Sequence, residues 1–278
     1  MGRLRFGPAG KPTNFKGDYE EVPQLLRQMG LDALEYEAVR GVKITEAKAR
    51  AIGEAAREND VVLSMHAPYF VNLASPDRDT VEKSIERLRE AALASEWMGA
   101  YAVVFHPGYV KGNSSREEAL QRVIAAVKEL MEGLDLKAAW LAPETTGKES
   151  QVGDVDETIK ICQSHDRLRP AVDWAHLHAR YEGKAINSVD EVIAVIDKIE
   201  KELGSWAVKP LHTHFSKIEY GRGGEREHHT LAEEGYGPQW EVVCRAYIET
   251  GIDAVVISES PILEQDALVM KSTCEKMR

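Results

Sequence analysis

The chain has 278 residues, 43% of them hydrophobic, and a formal net charge of −11 at pH 7. That size and apolar content suffice for a large buried core, while no apolar run approaches the ~20 residues that span a bilayer. The negative balance excludes bulk electrostatic attraction to nucleic acid, so any chemistry on DNA must rest on metal ions and a local basic rim. Met1 to Pro12 carries basic residues but no apolar core of the signal-peptide kind. Cys162, Cys244 and Cys274 are odd in number, far apart and outside any CxxC pair. They argue against a disulfide framework or a thiolate zinc site, and the expected location is cytoplasmic.

In chain order, short apolar runs at Leu4–Phe6, Ala33–Tyr36, Val61–Met65, Ala102–Phe105, Ala138–Leu141, Pro170–Val172, Pro210–His214 and Ala254–Ser258 read as strands. Each is mostly apolar on both faces, as a parallel strand between two layers should be. Amphipathic helical patterns lie between them, at Asp79–Trp97, Ser115–Met131, Ser188–Glu202 and Pro238–Thr250. Ser188 with Glu191 forms a capping box, and Gly251 suits a helix C-terminus. Glu219–Gly237 is polar, rich in Gly, Glu and His, and reads as a long loop after the seventh strand. About eight β–α units without a composition break predict an α/β fold, a (β/α)8 TIM barrel forming a single domain over residues 1–278. An open doubly wound sheet is the runner-up, but no GxGxxG follows the first strand.

The reactive residues fall at strand ends. His66 ends the third strand, His106 the fourth, Glu144 the fifth, Asp173 the sixth with His176 three residues on, and Glu259 the eighth. His212 lies in the seventh strand, with His214 on the same face two residues later. In a barrel these positions converge on the C-terminal mouth, where TIM-barrel active sites sit. A lone histidine beyond a strand is usually a hydrogen-bonding loop residue, and Asp173 alone would read as a helix cap. Six strands ending in ionisable groups is different, because burying that many together is costly unless metal ions neutralise them. Imidazole with carboxylate and no thiolate suits Zn²⁺, Mn²⁺ or Fe²⁺. With His228, the set offers about eight ligands, too many for one ion, and two or three are expected. Two or more ions clamp a phosphodiester well.

His66-Ala-Pro-Tyr69-Phe-Val-Asn72, Phe105-His106-Pro-Gly, Asp173-x-x-His176, the His212 strand with Ser216-Lys217, His228-His229-Thr-Leu-Ala-Glu and Glu259-Ser-Pro together resemble the endonuclease IV family. The resemblance runs in order from the third strand to the eighth. It implies a zinc-dependent barrel that hydrolyses double-stranded DNA 5′ to an abasic site, a base-excision repair nuclease with no obligate protein partner and no membrane role. Carried over by position, His66 and His106 would hold one ion, bridged by Glu144 to a second held by Asp173, His212 and Glu259. His176 and His228 would hold the third. Glu144 and Glu259 would be the catalytic carboxylates, with Glu259 orienting the water, and Tyr69 and Phe70 would press into the DNA stack. Three positions depart from the pattern. Arg226 stands where the family has an aspartate for the third ion, with Glu225 or Glu227 as possible substitutes. Phe6-Gly7-Pro8 lacks the family's N-terminal histidine. His214 replaces an asparagine. The competing reading is a metal-dependent sugar or sugar-phosphate isomerase or epimerase on the same barrel, using Glu144, Asp173, His212 and Glu259. The histidines at 66, 106, 176 and 228 are surplus to that chemistry.

Overall fold

The computed structural model describes residues 2–278. In chain order the elements are β1 (Leu4–Pro8), α1 (Val22–Met29), β2 (Ala33–Glu37), α2 (Glu46–Glu58), β3 (Val62–His66), α3 (Arg78–Met98), β4 (Ala102–Phe105), β5 (Gly108–Tyr109), α4 (Arg116–Met131), β6 (Trp140–Pro143), β7 (Gln151–Val152), α5 (Val155–Cys162), β8 (Ala171–Asp173), α6 (Trp174–Arg180), α7 (Val189–Leu203), β9 (Leu211–Phe215), β10 (Lys217–Gly221), β11 (Gly224–His229), α8 (Trp240–Thr250), β12 (Ala254–Ser258) and α9 (Glu264–Met277). β2, β3, β4 and β6 pair in parallel, as do β1, β12, β9 and β8. Parallel bridges Ala9–Glu35 and Glu144–Ala171 join the two halves. Eight parallel strands thereby close into a TIM barrel, and the helices wrap its outer face over one large apolar core.

The expected capping signals operate. Ser188 and Glu191 form their capping box, Ser115 accepts from the Glu118 amide, and Gly251 takes a left-handed φ of 65°. The fifth barrel strand begins two residues later than its apolar run, at Trp140. The Glu96 carboxylate accepts the amides of Lys137, Ala138 and Ala139, which keeps them out of the strand ladder.

Two expectations are corrected. Residues 219–237 are not all loop, because β10 and β11 form an antiparallel hairpin inside that polar stretch. The hairpin docks on the loop after β6: Glu225 N donates to Gly147 O, and a Cβ on Gly224 would lie 2.0 Å from that oxygen. Cys244 of α8 and Cys274 of α9 are disulfide-bonded, leaving Cys162 as the free, buried thiol. Among the described residues no helix is long and apolar enough to cross a membrane.

Register fixes what faces the barrel axis. Glu35 stands opposite Ser64 and Glu37 opposite His66. Ala171 stands opposite His212 and Asp173 opposite His214. Alternation then puts Ala102, Val104, Ala142 and Ala171 on one inner wall and Val255 with Ile257 on another, two small clusters separate from the main core. The alanines leave room for the imidazoles opposite them.

Candidate metal centre

Glu144, fully buried just beyond β6, is the hub of the mouth. Its Oε2 lies 3.3 Å from His66 Nε2 and 2.9 Å from His106 Nε2. Its Oε1 lies 3.2 Å from His176 Nδ1 and 3.1 Å from His214 Nδ1. One carboxylate thus meets four imidazoles from four segments. The ligand atoms fall into groups that lie within 4.8 Å of one another: His66, His106 and Glu144; Glu144, Asp173, His176 and Glu259; and His176, His228 and Glu259.

Asp173 does two things. Its Oδ1 accepts the His176 amide at 2.7 Å, capping α6, while Oδ2 has no hydrogen-bond partner although the residue is fully buried. The cap starts a helix immediately at the strand end, and that helix swings His176 back over the mouth. His228 comes from β11. Its Nδ1 bonds Ser216 Oγ at 2.7 Å, and its Nε2 lies 4.0 Å from Glu259 Oε2. His229 points the other way, to Glu233 and onto the Tyr236 ring.

Arg226 does not approach the mouth. The hairpin register shifts between Glu219 and Tyr220, so Arg226 is the unpaired residue of a bulge, and its side chain, 61% exposed, pairs with Glu219. The bulge turns Glu225 inward instead, to 3.6 Å between its Oε2 and His176 Nε2. Gly147 permits this approach, since a Cβ there would lie 2.6 Å from Glu225 Oε2. A carboxylate one residue before position 226 thus stands beside His176.

His212 is not brought to Asp173 and Glu259. It lies level with Ala171, one inward position, about 6.6 Å, below His214. Its contacts are Glu35 through Nε2 at 3.1 Å and Tyr101 through Nδ1. His214 holds the upper level, with Nδ1 3.2 Å from Glu259 Oε1. Glu35 and Glu37 escaped the sequence reading, while Glu225 is one of the two acids it offered in place of Arg226. The alternation in Ala33-Leu-Glu-Tyr-Glu37 is the signal for the first two, because acids two apart on a barrel strand share its inner face.

The electrostatics follow from burial among opposite charges. Burial opposes ionisation of Glu144, yet His106 and His214 hold its carboxyl well below the usual range. Glu259 is likewise held low, against burial, by His214. For Asp173 burial outweighs the pull of His176 and pushes the carboxyl up to about 8. A buried carboxyl oxygen without a partner, inside a ring of imidazole nitrogens, is a donor set that fits divalent d-block cations. His66, His106, Glu144, Asp173, His176, His228 and Glu259 would hold them, with Glu225 beside His176.

At the rim, the loop after β3 presents Tyr69 and Phe70, 50% and 63% exposed. Tyr69 stacks edge-on to His66, at 5.2 Å between centroids, and Arg87 covers Phe70.

The chain is 37% identical over 270 residues to an uncharacterized protein of Methanocaldococcus jannaschii, covering 96% of this chain and 95% of that one. It is 31% identical over 176 residues to a protein of Aquifex aeolicus named "probable endonuclease 4", covering 62% of this chain and 61% of that relative. Among solved structures, endonuclease IV from Thermus thermophilus superposes with a TM-score of 0.73 at 20% identity, covering 98% and 99% of the two chains. A D-tagatose 3-epimerase-like protein superposes with a TM-score of 0.70, also at 20% identity, covering 92% and 91%. The family model of the xylose isomerase-like TIM barrel matches residues 23–277. With that match spanning nearly the whole chain and the barrel closed around its ligand-rich mouth, this protein belongs to the xylose isomerase-like TIM barrel family.

Proposed function

We propose that the chain is a metal-dependent phosphodiesterase that hydrolyses duplex DNA 5′ to an abasic site. The observation that carries this reading is the crowding at Glu144. One buried carboxylate contacts four imidazoles, Asp173 and Glu259 share its ligand group, and His228 and Glu225 lie beside His176. Such a set exceeds one ion of four or five coordination. Bound zinc, or manganese or iron, would polarise the phosphodiester and lower the pKa of a water.

The chain's own groups do the rest. Glu259, 14% exposed, is more open to solvent than buried Glu144, which supports it as the group that orients the attacking water. His66, His106 and His176 fix Glu144 from three sides. Tyr69 and Phe70 offer exposed rings that can fill the gap left by a missing base. Their position at the rim meets a duplex where net charge gives no help.

The epimerase reading needs Glu144, Asp173 and Glu259 with one histidine of β9, a place His214 can take, and it leaves His66, His106, His176 and His228 without a role. Incubating metal-loaded protein with a duplex carrying one abasic site, with and without prior chelation, tests the proposal. Cleavage leaving a 3′-hydroxyl, lost on chelation, is expected. No cleavage, with turnover of a ketose instead, would overturn it.

A further inference from the structure

Beneath the mouth, Glu35 and His212 form a group with the inner nitrogen of His214, whose other nitrogen reaches Glu144 and Glu259. All three are buried, and each offers a donor atom to the others' neighbourhood. Glu35 Oε2 lies 3.1 Å from His212 Nε2, Glu35 Oε1 lies 2.9 Å from His214 Nε2, and the two Nε2 atoms are 3.2 Å apart. With bonds of about 2.0–2.1 Å, the donors around a tetrahedral Zn²⁺ stand about 3.3 Å from one another. The three separations nearly match one face of that tetrahedron. Glu35 is completely buried, and its Oε1 makes no aligned hydrogen bond although His214 Nε2 lies 2.9 Å away. Two imidazole nitrogens 3.2 Å apart beside a buried carboxylate are costly together unless a proton or a cation satisfies them.

The atoms behind the donors are also in place. Ser64 Oγ donates to Glu35 Oε2 at 2.7 Å. The Tyr101 hydroxyl contacts His212 Nδ1, freeing Nε2 to face inward. His214 Nδ1 meets Glu144 and Glu259, which frees its Nε2 likewise. Partners of this kind orient ligating histidines and set which nitrogen binds. Tyr101, which backs His212, also faces the opposite end of the barrel. A cavity of about 730 Å³ opens at the N-terminal face, lined by Tyr101, Trp140, Val62 and Val255 among others.

We infer that Glu35, His212 and His214 bind a further divalent d-block cation, of the zinc class, inside the barrel one level below the mouth. Three protein ligands hold it, and the second oxygen of Glu35 or a water completes the tetrahedron. The inference does not depend on the nuclease reading, since it concerns occupancy and not turnover.

The test is anomalous diffraction at the zinc edge on full-length protein loaded with Zn²⁺, with metal content measured alongside. A peak about 2.0–2.1 Å from His212 Nε2 and His214 Nε2 is expected. Glu35→Gln should lose that peak and one equivalent of zinc while the peak at His66, His106 and Glu144 stays. A loaded mouth with no density between these three residues, or an unchanged zinc count in Glu35→Gln, would overturn the inference. Should Glu35→Gln fail to fold, Tyr101→Phe removes only the hydroxyl behind His212. It should weaken this one ion by about 10–100-fold, and unchanged affinity would count against the site. Abasic-site cleavage by protein lacking the inner ion would leave the nuclease reading standing while this one fell.

Discussion

Ser216 Oγ lies 2.7 Å from His228 Nδ1, and this contact turns the other ring nitrogen of His228 toward Glu259. His229, its neighbour on β11, faces Glu233 and Tyr236 on the far side of the hairpin. The two adjacent histidines are therefore predicted to differ in metal content. His228→Ala should lose one equivalent of zinc, and His229→Ala should lose none. Arg226→Ala should also leave the count unchanged, since its guanidinium is at the surface with Glu219. Metal analysis of the three purified variants checks this. Loss of zinc on His229→Ala and not on His228→Ala would show that the hairpin sits in the other register.

Glu144→Gln tests the hub. The substitution keeps volume and hydrogen-bonding capacity but removes the charge that four imidazoles share. Abasic-site cleavage should fall by at least about 10²-fold, as expected when charge stabilisation of the transition state is lost. The metal count should fall too, while circular dichroism still reports the barrel. A near-normal cleavage rate would remove Glu144 from the centre of the site.

The barrel and most of its mouth were legible because strand-end residues need only the strand count and polarity to be placed. His66, His106, Glu144, Asp173, His176 and Glu259 all converge as those positions imply. The level of a residue inside the barrel was not legible. His212 and His214 share a face, and only the pairing of β8 with β9 shows that His214, not His212, stands beside Asp173. That register is a tertiary property. Arg226 misled for a similar reason, since a bulge changes which residues of a strand face inward and no local signal marks it. The Cys244–Cys274 pair was missed because its partners, 30 residues apart, meet only when α8 packs on α9.

Tyr69 and Phe70 are predicted to matter for substrate and not for stability. Both rings are exposed, so replacing either with alanine should change stability by no more than about 0.5 kcal/mol. Stacking of an aromatic ring on a base contributes about 1–3 kcal/mol. The double variant should therefore weaken binding of an abasic duplex markedly while leaving zinc content intact. Fluorescence anisotropy with a labelled duplex, beside a melting curve, separates the two effects. Unchanged affinity would return these rings to an ordinary surface role.

Stability of the metal-free protein should depend on pH. Burial pushes the Asp173 and Glu37 carboxyls each up to about 8. Burial opposes the charge of His66, but Glu144 and its neighbouring carboxylates lift it to about 10. These groups hold protons more tightly folded than unfolded. Between pH 7 and 10 the unfolded chain thus binds fewer protons, and stability falls as pH rises. Glu144 and Glu259 have lowered values, so their contributions are complete above the ordinary carboxylate range and add no slope there. His212 and His228, lowered chiefly by burial, finish titrating below their ordinary range and add none either. Metal must displace the protons that Asp173 and His66 retain, so its binding tightens over the same interval. The melting temperature of chelated protein should therefore drop from pH 7 to pH 9, while the gap between zinc-loaded and chelated samples widens. Scanning fluorimetry at four pH values across that range measures both. A gap that narrows as pH rises would show that these buried groups do not give up their protons to metal.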